Sequence, residues 1–446
     1  MLLVSLGCAK NLVDTEVMCG SLAGGGYVLT NLPESADIMV VNTCCFIADA
    51  RRESESRILQ AVEWRRASSR RRLVVAGCWP QREGDVLRSR FPEIDCLLGL
   101  NDVPRIAIHL ARLRGAPKSA PAPEIKPASI SDAEYLYDHN TPRLQLTAPT
   151  YAYVKIAEGC NHRCRFCAIP RIRGRLRSRA PASVVEECRM LLNNGVRELN
   201  FIGQDTTAYG RDRGESDGLL RLLDRCEELG GDFWLRLLYT HPRHLTDGLL
   251  ERLRGGGHLL PYLDLPLQHI DDHVLHRMGR GMGERATRQW LEKIRRICPE
   301  LAVRTTFIVG YPGETEAAFV KVLELLRTYR FNHVGVFTFS PEPGTAAATD
   351  SEGLVEPAVA ESRKDLLLTE QQSVSAAINR QRVGSLTAVL VEGRTSEGQW
   401  HGRTVRDAPD VDGRVTFTGR GDCMKAGIVK VKITGSDEYD LTGELS

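Results

Sequence analysis

The stretch AEGCNHRCRFCAIPRIRG, residues 157–174, packs Cys160, Cys164 and Cys167 into eight residues. Three thiols cannot all pair as disulfides, and a closed structural zinc site takes four ligands. Three ligands with one position left open suit a cofactor that must bind something further. Thiolates are the usual ligands of iron–sulfur clusters, and a C-x3-C-x2-C loop is short enough to wrap three corners of a 4Fe–4S cube. One iron then keeps a free site. An incomplete zinc site is the competing reading.

The remainder of the chain supplies the scaffold. Its 446 residues predict two to four domains. A hydrophobic content of 42% with 26% charged residues is that of a folded globular protein, and the net charge of +2 does not announce a nucleic-acid partner. No apolar run reaches the roughly 18 residues of a membrane span. The opening MLLVSLGCAKNLVDTE meets acidic residues at once and has no basic leader, so no signal peptide is read and a cytoplasmic protein is expected. In that compartment the 13 cysteines are thiols or metal ligands. Cys19, Cys96, Cys188, Cys226, Cys298 and Cys423 fit structural roles as small buried hydrophobes.

The first part alternates strands with helices. LLVSLG (2–7), DIMVVNT (37–43) and RLVVAG (72–77) read as buried parallel strands, with helix-length stretches such as residues 14–27 and 49–68 between them. Cys8, Cys44 and Cys78, 36 and 34 residues apart, each follow one of these strands. The carboxyl ends of parallel strands share one edge, where open α/β sheets bind ligands, so the three thiols are expected on one rim. Cys45 competes with Cys44, which is preferred because it directly follows its strand. From 115 to 145 the composition turns rich in Pro, Ala and Ser, a linker.

The middle third repeats a strand–helix unit. Six strands are expected at 151–157, 197–202, 233–239, 260–265, 302–310 and 333–339, with Gly195 and Gly230 closing two of the intervening helices. Six βα units fall two short of a complete (β/α)8 barrel. A helical stretch, 356–384, leads to five short β runs separated by glycines, an OB-like barrel. The fold class is therefore α/β. An N-terminal parallel-sheet domain (1–114) is followed by the linker (115–145), a partial (β/α)6 barrel (146–375) and a small β-barrel (376–446).

A C-x3-C-x2-C loop after the first strand of such a barrel resembles the radical S-adenosylmethionine (SAM) superfamily. That resemblance implies that SAM chelates the open iron through its amino and carboxylate groups. One electron then cleaves it to methionine and a 5′-deoxyadenosyl radical. With the three-cysteine N-terminal domain and a C-terminal barrel similar to a TRAM domain, nearly the whole chain resembles the methylthiotransferases. The resemblance implies a second 4Fe–4S cluster on Cys8, Cys44 and Cys78, which delivers sulfur, and a further SAM as methyl donor. SLGCAKNLVDTE (5–16), GQDTTAYG (203–210), YLDLPLQHIDDHVLHRMGR (262–280) and GRTVRDAPDVDG (402–413) look like one branch of that family. That branch places a methylthio group on the β-carbon of an aspartate in small-subunit ribosomal protein twelve.

The same resemblance implies an electron donor such as a flavodoxin or ferredoxin, a sulfur source, and a substrate met free or on the ribosome. The branch acting on a tRNA adenosine is the nearer alternative. A non-enzymatic iron–sulfur carrier or RNA-binding scaffold is the more distant one. Residues 381–446 carry nine Lys/Arg against ten Asp/Glu, whereas a tail gripping tRNA phosphates is expected to be basic. The resemblance implies SAM contacts at the ends of later barrel strands, where Gln204 and Gly310 stand; a structural turn is the competing reading of the glycine. His269 is read equally as a structural hydrogen-bonder or a substrate contact. The arginines of RIRGRLRSR (171–179) are read as a solvated edge or as ligands of an anionic partner, and RRASSRRR (65–72) as a helix end facing solvent.

Overall fold

The computed structural model describes residues 1–115 and 133–446, in two compact units. One comprises residues 1–146, 157–162 and 167–179, and the other 147–156, 163–166 and 180–446. Most of the expected linker, 116–132, lies outside the described residues. Residues 133–145 form neither helix nor strand.

The first unit is built on a four-stranded parallel sheet in chain order, β1 (Leu2–Ser5), β2 (Ile38–Thr43), β3 (Arg72–Gly77) and β4 (Cys96–Leu98). All six residues of β2 are buried, as a central parallel strand covered on both faces requires. Helices Ala9–Gly24 (α1), Ala48–Arg66 and Cys78–Arg90 follow β1, β2 and β3. Val41, Ile58, Val75, Trp79, Leu87 and Phe91 fill the core. The three expected strands are present, and β4, a three-residue strand around Cys96, was not anticipated. Glu16, fully buried in α1, accepts from Arg143 Nε at 2.8 Å and from the backbone N–H of Leu146 at 2.7 Å. It thereby fastens residues 143–146 to α1.

In the second unit all six expected strands form, at Tyr151–Lys155, Glu198–Ile202, Trp234–Leu237, Tyr262–Asp264, Ala302–Val309 and His333–Thr338. They pair in parallel as two three-stranded sheets joined by a bridge between Leu235 and Leu259. Gly195, just past the helix Pro181–Asn193, has the positive φ of a helix-closing glycine. Gly230 does not: its helix ends at Glu227, and the left-handed residue is Gly231.

The helix Pro357–Arg380 runs without interruption across the expected boundary at 375 into a closed five-stranded barrel. The barrel's strands, Leu386–Arg394, Trp400–Thr404, Val415–Thr418, Leu441–Leu445 and Ile428–Ser436, enclose Val389, Val391, Trp400, Phe417, Val431 and Ile433. The GRTVRDAPDVDG segment ties this barrel to the core strands. Asp410 and Asp412 accept from the Tyr153 and Tyr262 hydroxyls at 2.9 and 2.6 Å, and Arg403 meets Glu198.

Candidate functional site

The parallel ladder explains where Cys8, Cys44 and Cys78 lie. Cys44 and Cys78 directly follow β2 and β3, and Cys8 follows β1 by three residues and caps α1. Gly7 lies against Cys44: a Cβ on Gly7 would stand 3.0 Å from the Cys44 sulfur. Burial pushes the Cys44 thiol up to about 12, and the neighbouring Cys78 and Cys8 sulfurs push it the same way. Burial likewise raises Cys78, against the pull of Arg173. Cys8 behaves differently. It is the exposed member of the three; desolvation of its sulfur would raise the thiol, but Lys10, Arg173 and the first N–H groups of α1 outweigh that and lower it.

Cys45 is fully buried in the apolar core, and burial raises its thiol further from ionisation. Cys44, by contrast, is raised by the charge of both Cys78 and Cys8. Three soft donors that crowd one another's charge suit a metal centre that takes the place of their protons.

The shell around this rim is polar and was not anticipated. Asn11, fully buried, donates from Nδ2 to Leu6 O at 2.6 Å. Asn42 Nδ2 donates to Asn11 O at 2.9 Å and to Thr15 Oγ1 at 2.8 Å. Ser54 holds the Cys44 backbone, accepting from its N–H at 3.1 Å and donating to its carbonyl at 2.8 Å. Arg173, buried, places Nη1 3.0 Å from both Asp14 and Glu158, and donates from Nη2 to Cys78 Sγ at 3.3 Å. Of the five arginines in 171–179, Arg171 and Arg175 are exposed as a solvated edge would be. Arg173 and Arg179 are buried, and Arg179 stacks on Tyr137 at 4.2 Å.

Cys160, Cys164 and Cys167 lie on an irregular loop and are all partly exposed, unlike the buried structural cysteines. Cys160 N–H donates to Gly174 O at 3.1 Å, and its sulfur accepts from His162 N–H at 3.4 Å. Cys164 Sγ accepts from Arg280 Nη1 at 3.6 Å. Arg165 N–H donates to Met278 O and Phe166 packs edge-on to Tyr311, which fix the middle of the loop. Three partly exposed cysteines this close in sequence suit a cluster needing one open corner.

Gln204 lies just beyond the strand Glu198–Ile202, and Gly310 just beyond Ala302–Val309. Gly310 has φ +72°, and a Cβ there would strike the Ala360 side chain at 2.5 Å, so packing alone demands glycine. It also lines a cavity of about 510 Å³ with Thr338, Phe339, Ala347 and Glu361. His269 is fully buried: Nδ1 accepts from Asp271 N–H at 3.0 Å, and burial lowers its pKa to about 4. That is the geometry of a neutral structural hydrogen-bonder. RRASSRRR ends the helix Ala48–Arg66 at the surface as expected, with Arg65 paired to Asp95.

Three family models match the chain: the uncharacterized protein family UPF0004 over residues 1–99, the radical SAM superfamily over 154–326 and the TRAM domain over 383–445. A protein of Syntrophotalea carbinolica named ribosomal protein uS12 methylthiotransferase RimO is 45% identical, covering 99% of this chain and 96% of that protein. Proteins of the same name from Syntrophus aciditrophicus and Heliobacterium modesticaldum are 42% identical, also over 99% of this chain. Among solved structures, the radical SAM methyltransferase TsrM from Kitasatospora setae superposes with a TM-score of 0.51 at 16% identity, over 89% of this chain and 79% of that one. At that identity the likeness is one of fold.

Proposed function

The chain belongs to the RimO family of ribosomal protein uS12 methylthiotransferases, and we propose that it adds a methylthio group to the β-carbon of an aspartate of uS12. It is a radical SAM enzyme, and its cofactors are 4Fe–4S clusters and SAM. The observation that carries the reading is the second sulfur triad. Cys8, Cys44 and Cys78, distant in sequence, follow three adjacent parallel strands on one rim, in addition to the C-x3-C-x2-C motif that a radical SAM enzyme already has.

In this reading Cys160, Cys164 and Cys167 hold the cluster that binds SAM, and Cys8, Cys44 and Cys78 hold the one that carries sulfur. When bound, these groups supply one-electron cleavage of SAM, sulfur for insertion and a methyl group. The chain's own residues do the rest. The N–H groups opening α1 and the side chain of Lys10 stabilise the Cys8 thiolate. Ser54 fixes the Cys44 backbone, and burial shields the Cys44 and Cys78 sulfurs themselves from water. Gln204 and the Gly310 backbone, just beyond two of the core strands, would help hold SAM.

The balanced charge of residues 381–446 favours a protein partner over tRNA. The reading also includes the domain division 1–114, 146–375 and 376–446, and action in the cytoplasm on uS12, free or in the ribosome. It requires a small reductant such as a flavodoxin or ferredoxin, and an external sulfur source. Among the described residues no helix is long and apolar enough to cross a membrane.

The test is anaerobic. The enzyme is reconstituted with iron and sulfide, supplied with SAM and reductant, and offered uS12 and tRNA in parallel, and the products are read by mass spectrometry. A methylthio gain on an aspartate peptide of uS12 is the expected result. A gain on tRNA alone overturns the substrate assignment.

A further inference from the structure

Arg173 stands six residues after Cys167, at the end of the short helix Ile169–Arg173, yet its guanidinium ends at the other sulfur triad. Burying a guanidinium costs several kcal/mol unless its charge is matched. Here one arginine is matched by two carboxylates, Asp14 and Glu158, both on the same nitrogen, Nη1, at 3.0 Å. A purely structural ion pair would spread its fork over both carboxylates. Instead Nη2 is left to Cys78 Sγ at 3.3 Å, with Asn11 Oδ1 at 3.5 Å. The planar guanidinium can serve carboxylates with one nitrogen and sulfur with the other, which a lysine's single point charge cannot do.

Hydrogen bonds to ligand sulfur and nearby charge are among the levers a protein has on the potential of an iron–sulfur cluster. An N–H donated to a thiolate draws electron density from it and favours the more negative, reduced form. The carboxylates act in the opposite sense, so the group is a balanced set rather than a bare cation. The C-x3-C-x2-C loop has a similar feature, with Arg280 donating to Cys164 Sγ at 3.6 Å and to Pro266 O at 2.6 Å.

We propose that Arg173 is a positioning residue that raises the reduction potential of the sulfur-carrying cluster through its N–H to Cys78, and that Asp14 and Glu158 set how far. The proposal rests on the assignment of that cluster to Cys8, Cys44 and Cys78. It makes the stretch following the radical SAM loop part of the first cluster's surroundings.

The test isolates that cluster. Full-length protein with Cys160, Cys164 and Cys167 all replaced by Ala is reconstituted anaerobically, its iron counted, and its midpoint potential titrated by electron paramagnetic resonance. R173Q then moves the potential to a more negative value, R173K recovers part of the shift, and E158Q moves it the opposite way. A potential unchanged in R173Q with iron retained overturns the proposal. Loss of iron in R173Q, with wild-type potentials in R173K and E158Q, overturns it too and leaves Arg173 a structural ion pair. If the triple-alanine parent itself binds no iron, the cluster assignment has failed before Arg173 is touched, and the proposal falls with it.

Discussion

Arg403 of the small barrel reaches Glu198 on a core strand, Nη2 to Oε2 at 2.5 Å, with both side chains buried. Arg236 meets the same carboxylate at 2.8 Å and also donates to the Val405 and Thr404 carbonyls. Burial alone would raise Glu198, but Arg403 and then Arg236 hold it down at about 2. A carboxyl depressed on folding adds stability above its unfolded value, and that stability is lost as the pH falls from about 4.5 toward 2. The contribution is on the order of 3 kcal/mol. R403M should cost about 3 kcal/mol at neutral pH, because a buried carboxylate loses one of its two cations. Thermal unfolding of the wild type, R403M and E198Q between pH 7 and pH 3 checks both, with E198Q expected to lose the acid-dependent component.

His269 gives a second, milder acid window. Its imidazole is buried and neutral, with a pKa near 4 against an ordinary 6.5. The unfolded chain takes up this proton first, so stability falls as the pH drops from 6.5 toward 4. About 2 kcal/mol is lost by pH 5. H269N, which retains an acceptor for Asp271 N–H, should flatten that part of the profile.

The adjacent Cys44 and Cys45 should separate cleanly. C44A is expected to lose the iron and the visible absorbance of one cluster, and with it methylthiolation. C45A should keep both clusters and lose about 1 kcal/mol of stability from a small core defect. Iron retained by C44A and lost by C45A would reverse the assignment.

Gly77 precedes Cys78 with φ +95°, and a Cβ there would lie 2.1 Å from Asn42 Oδ1. G77A should therefore cost about 1–3 kcal/mol in strain and displace the Cys78 sulfur. Lower iron retention after desalting, with the signal of the cluster on Cys160, Cys164 and Cys167 intact, is the expected result.

Much of this could be read from residues alone. The apolar, β-rich run IMVV announced a buried parallel strand, which the structure extends over Asn42 and Thr43, and the cysteine after it was legible as a rim residue. β4 was missed because three residues are too few to show a period. The polar shell was missed for another reason. Asn11, Asp14 and Glu16 look like the wet face of a helix until Asn42, Arg173 and Arg143 arrive from far along the chain. Arg173 and Arg179 read as surface charge for the same cause: only their partners make burial tolerable. Gly230 was placed one residue short of the left-handed turn, within the usual uncertainty of helix ends.

The two sets of thiols also differ in what must happen before they can act together. Cys160, Cys164 and Cys167 share a loop of eight residues, so little chain entropy opposes their gathering around iron even in a partly folded protein. Cys8, Cys44 and Cys78 meet only after β1, β2 and β3 have paired in register, with segments of 36 and 34 residues closed between them. On the proposed assignment of the clusters, maturation has a built-in order. The loop can be loaded early, whereas the rim becomes a receptor for metal only as a product of completed folding, and metal bound there locks the sheet that made it.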